Sequence, residues 1–84
     1  MGKFQTKKGE FFEAECRKYM KLRHINTLEK LRSHTTVGSN TTFLKYFDDP
    51  ELMPMGKMAE VMAALNMPKD VRSTIINRII EGDR

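Results

Sequence analysis

Ser39-Asn40-Thr41-Thr42 places four short hydrogen-bonding side chains in a row, and Lys45 follows one helical turn after Thr41. Hydroxyls, an amide and an ammonium at the opening of a helix suit two kinds of partner: base edges in a groove of duplex DNA and phosphate oxygens. Asn40 has the donor and the acceptor for a bidentate contact to adenine. Thr41 or Thr42 can lay a methyl on thymine or hydrogen-bond a base, and Lys45 can reach guanine or phosphate. Ser39, with the backbone amides at the helix start, suits a phosphate oxygen. Ser39 and Asn40 also suit helix capping, a role that coexists with contact. Lys30, Arg32 and His34 upstream, and Lys57 downstream, are candidate clamps on a phosphate backbone.

Charge is distributed in keeping with that chemistry. The 84 residues carry a net charge of +4. Arg17 to His34 holds six Lys or Arg against one acid, Glu29, while acids gather at Glu10 to Glu15, at Asp48 to Glu51 and at the C-terminus. A segregated basic stretch beside a groove-reading element is the expected footprint of phosphate contact, although such a run often forms only a solvated helix face.

Other chemistries find little footing. No Ser/His/Asp or Cys/His set and no glycine-rich phosphate loop is visible, so no enzyme activity is expected. One cysteine, Cys16, and two histidines, His24 and His34, are too few for zinc, and no metal or cofactor is expected. No apolar run approaches the length of a membrane span. The absence of a signal-type apolar stretch and the lone cysteine predict a cytoplasmic protein. Residues Met1 to Thr6 fit a permissive N-myristoylation pattern, but a basic arm that touches a DNA backbone is the preferred reading.

The elements that must position these residues follow from periodicity. Residues 1–9 lack it and read as a flexible basic arm, ahead of a single domain over 10–84. Phe12, Cys16, Tyr19 and Met20 recur at helical spacing, predicting a first helix from Glu10 to about Arg23. Asn26 with Glu29 has capping-box spacing for a short second helix carrying Leu28 and Leu31. The β-branched run Thr35-Thr36-Val37 ends it, with Val37 plugging the core and Gly38 supplying an unusual backbone angle. A third helix over Asn40 to Asp48 turns Phe43, Tyr46 and Phe47 inward, and Asp49-Pro50 stops it. After a loop at 50–53, a fourth helix from about Pro54 carries Met55, Met58, Met62 and Leu65, and Asn66 ends it. A fifth helix over 68–81 buries Val71, Ile75 and Ile79. Ile76 and Ile80 are left over for a partner subunit, so a homodimer is expected. Five helices and no strand predict an all-α domain. Six aromatics and seven methionines at these positions read as core rather than as stacking platforms or metal sites.

Helix order and several positions resemble the phage-repressor, Cro- and XRE-like, helix-turn-helix family over about residues 10–67. Leu31 and Val37 are spaced like the family's second-helix anchor and turn residue. Ser39-Asn40-Thr41-Thr42 looks like the small polar opening of its recognition helix, and Phe43 and Tyr46 resemble the buried positions that follow. Asp49-Pro50-Glu51-Leu52-Met53-Pro54 matches the loop before its fourth helix, and Met55, Met58, Met62 and Leu65-Asn66-Met67 match that helix and its stop. The chain departs at Arg32 and Thr36, where the family usually places alanine and glycine. The interval from Val37 to Phe43 is also one residue longer, so either the turn is expanded or the third helix is shifted by one. The resemblance implies a lambda-repressor-like domain binding double-stranded DNA in a sequence-specific manner, usually as a homodimer. It implies a short transcriptional regulator, a repressor of phage or bacterial mobile-element type, with helix 40–48 in the major groove. The two departures keep a second expectation open, a protein-interaction module or phage-encoded inhibitor on the same scaffold.

Overall fold

The computed structural model describes residues 5–81. Five α-helices follow one another: α1 Lys7–Leu22, α2 Leu28–Arg32, α3 Asn40–Asp48, α4 Met55–Ala64 and α5 Lys69–Glu81. No strand occurs among the described residues, so the domain is all-α. None of the described helices is long and apolar enough to cross a membrane.

The core is organised by aromatic contact between the first and third helices. Phe47 on α3 meets Phe12 on α1 and Phe43 on its own helix, each pair with ring centroids 5.1 Å apart. Leu31, Val37, Val61, Met62, Leu65 and Ile75 close around this trio. Aromatic pairs in tilted and edge-on geometry add about 0.5–1.5 kcal/mol beyond their burial. Cys16 lies wholly inside. Burial pushes its thiol far above the ordinary range, and the charges of Glu13 and Glu15 push it further.

The first helix begins three residues earlier than its periodicity predicts, and residues 5–9 are docked rather than a free arm. Thr6 caps α1 by accepting from the Gly9 N–H at 3.0 Å. Its own N–H donates to the Asp48 carbonyl at 2.9 Å, and Gln5 Nε2 donates to the Phe47 carbonyl at 2.9 Å. These bonds satisfy carbonyls that the end of α3 leaves without helical partners. Gly9 is buried against the same carbonyls, so the segment is held by contacts that no local pattern reveals. The expected arm at residues 1–4 lies outside the described residues.

Helix ends depart from expectation in four further places. Thr27, not Asn26, caps α2, accepting from the Lys30 N–H at 3.1 Å. Gly38 does not occupy the left-handed region, and a Cβ there would meet nothing within 4 Å. The turn therefore does not depend on glycine. Residues Pro50–Leu52 form a 3-10 turn capped by Asp49 rather than an irregular loop. Helix α5 starts at Lys69, one residue after Pro68.

The left-handed positions are His24 (φ 61°) and Asn66 (φ 53°). Each closes a Schellman motif. The Ile25 N–H returns to the Met20 carbonyl at 2.9 Å, and the Met67 N–H returns to the Met62 carbonyl at 3.1 Å.

Candidate nucleic-acid interface

Helix α3 separates its polar opening from its apolar body. Ser39, Asn40, Thr41 and Lys45 are exposed and Thr42 is half-buried, whereas Phe43 and Phe47 are fully buried. The helix spans the range its sequence predicts, with Asn40 as its first residue and Tyr46 half-buried. Ser39 is the cap, its Oγ accepting from the Thr42 N–H at 3.4 Å, the long end of hydrogen bonding. No acid occupies the first turn.

Only some of the basic stretch stays available. Arg17 pairs with Glu13 at 2.8 Å and Lys18 with Glu15 at 3.4 Å. The Arg23 guanidinium donates to the Leu65 carbonyl at 3.2 Å, helping to cap α4. Lys30 and Lys45, by contrast, are exposed and form no ion pair among the described residues. His34 is exposed in the turn after α2.

Arg32 and Thr36 both hold the α2–α3 turn through hydrogen bonds. The half-buried Arg32 donates through Nη1 to the Val37 carbonyl at 3.0 Å and through Nε to Asn40 Oδ1 at 3.1 Å. It is thus not a freely swinging clamp, since two of its five donors are committed to the turn. Thr36 donates its N–H to Glu60 Oε1 at 2.6 Å, and its hydroxyl lies 2.8 Å from both Glu60 oxygens. Lys57 Nζ hydrogen-bonds the same hydroxyl and lies 3.7 Å from Glu60 Oε2. Lys57 is therefore tied to this cluster instead of standing free as a phosphate contact. The bonds from Thr36, backbone first, and the nearby Lys57 charge hold the Glu60 carboxyl below its usual value, against a smaller opposing effect of desolvation.

The sequence does not reveal that Thr36 and Glu60 are partners. They lie 24 positions apart. The only local signal was the unusual threonine ahead of the turn valine.

A second surface lies between the 50–52 turn, α4 and α5. Pro50, Met53, Met55, Met58, Ile76, Ile79 and Ile80, with the charged Glu51 among them, line a groove of about 230 Å³. Ile80 is 66% exposed and Met55 54% exposed, while Ile76 is half-buried and packs on the core. The structure thus brings both predicted partner-facing isoleucines to one apolar edge, joined there by a methionine expected to be interior.

No family model, curated protein or solved structure matches this chain.

Proposed function

We propose that the protein binds double-stranded DNA with sequence preference and acts as a transcriptional regulator of lambda-repressor-like architecture, most simply a repressor. The observation that carries the reading is the outward polar edge Ser39-Asn40-Thr41 on a helix anchored beneath by Phe43 and Phe47. Such an edge fits the major groove. Lys45 further along the helix and Lys30 on α2 supply unpaired positive charge for phosphates, and Ser39 with the first amides of α3 supplies neutral donors. His34 is an exposed contributor, and the half-buried Thr42 offers less of its side chain than Thr41. Two copies joined along the groove of Met55 and Ile80 would give a two-fold reader for an inverted repeat.

Selection of bound duplexes from a random pool, followed by titration at several salt concentrations, tests this. An inverted repeat is expected, with affinity falling steeply as salt rises. Lys30→Ala or Lys45→Ala should each reduce the salt slope by about 1. Asn40→Ala should relax sequence preference. Binding that is indifferent to both salt and these substitutions removes the proposal.

The exposed Leu52, Met55 and Ile80 favour a second reading, a module that docks another protein through its apolar edge. Under that reading Ile80→Lys abolishes partner capture while the α3 variants leave it intact.

A further inference from the structure

We propose that Arg32 sets which base Asn40 reads, turning it toward guanine rather than adenine; the inference rests on the DNA-binding reading above. An unconstrained asparagine rotates freely about its last bond and offers an acceptor and a donor together, the pattern that matches adenine. Asn40 is not unconstrained. Arg32 Nε lies 3.1 Å from Asn40 Oδ1. A guanidinium only donates, so the atom facing it must be the amide oxygen, and the two Nδ2 hydrogens point elsewhere. The second Arg32 bond, from Nη1 to the Val37 carbonyl at 3.0 Å, prevents the guanidinium from following the amide if it turns. Arg32 is half-buried and Asn40 exposed, so the fixed member lies beneath and the reading member outside.

Two consequences follow for the base that meets Asn40. Its oxygen is shared with a cation, which weakens it as an acceptor for the adenine amino group. The three uncommitted N–H groups of Arg32 add positive charge beside that oxygen, where an approaching amino donor is repelled. Guanine presents O6 and N7, two adjacent acceptors, and suits an edge that only donates. Arg32 is therefore a positioning residue. Its side chain acts on specificity through Asn40, and its unused donors remain able to meet a phosphate.

The test compares wild type, Arg32→Met and Arg32→Lys on duplexes chosen by selection from a random pool, with Asn40→Ala marking the base pair that Asn40 contacts. Lysine keeps the charge but lacks the fork that holds the Val37 carbonyl and the Asn40 oxygen together, so it loosens the amide even if methionine unfolds the chain. Wild type is expected to prefer guanine at the marked pair and to lose about tenfold in affinity when 7-deazaguanine removes the N7 acceptor. Either Arg32 variant should shift the preference toward adenine. The Asn40 side-chain amide resonances of the free protein should also move in both variants, independent of any DNA. Selective binding in which the variants read the same base as wild type overturns this inference alone. A wild-type chain that selects no duplex overturns the DNA-binding reading and this inference with it.

Discussion

Gly9 is the residue at which local preference and tertiary contact pull hardest in opposite directions. Alanine is the better helix former by about 1 kcal/mol. A Cβ at this position, however, would sit 2.4 Å from the Asp48 carbonyl oxygen and 2.5 Å from that of Phe47. Both are backbone atoms at the end of α3 and cannot swing aside as a flexible side chain would. Gly9→Ala is therefore expected to destabilise the domain by about 1–3 kcal/mol, read as a lowered urea midpoint. An unchanged midpoint would mean that α1 can slide away from α3. His24 poses the reverse case. It holds a left-handed backbone (φ 61°) that disfavours side chains with a Cβ, in a motif where glycine is the usual occupant. His24→Gly should gain up to about 1 kcal/mol. The expected rise in Tm is about 4–8 °C per kcal/mol for a domain of this size. A fall in Tm would show that the imidazole has a stabilising contact that outweighs its backbone cost.

Among the elements, α3 was the most legible because everything that defines it is nearby in sequence. Ser39 caps it, Phe43 and Phe47 share one face at a spacing of four, and Asp49-Pro50 ends it. The start of α1 was not legible, because Gln5, Thr6 and Gly9 are ordered by carbonyls of Phe47 and Asp48, about forty positions away. The same holds for the clasp on the turn. Arg32 and Thr36 act through partners that no local pattern discloses: their hydrogen bonds to Val37, Asn40 and Glu60 hold the turn. The Glu60 link carries a pH signature. Its folded carboxyl titrates below the ordinary value of 4.5. Such a group adds stability above its unfolded pKa and loses that contribution as pH falls through the folded value. Wild type should thus exceed Glu60→Gln in stability at neutral pH, and the difference should shrink once the pH drops below about 4.5. A gap that stays constant into acid would mean the carboxylate charge is not what grips Thr36. Because the group is about one-third exposed, the neutral-pH gap should be modest.

Across the whole molecule, the polar edge of α3 and the groove by α5 share no residue, so under the proposed function contact with DNA and self-association are expected to be separable by substitution. The pairing of Ile76 with Ile80 as a partner face needs refinement, since Ile76 also packs on the core and its replacement by lysine would damage folding. Ile80→Lys with Met55→Lys changes only the more exposed side chains of the groove. Sedimentation of this pair is expected to give a monomer from a dimeric parent, with the thermal unfolding temperature of the isolated domain little altered. A dimer that survives both charges places the subunit contact elsewhere.

Cys16 gives the molecule an intrinsic clock. It is the sole thiol in the chain and is sealed within the aromatic core, so an alkylating reagent can reach it only when the helices part. The rate of labelling then reports how often the helices around it part. Any occupant that clamps the folded form, whether a duplex on α3 or a second subunit on the groove, would slow that rate without touching the sulfur.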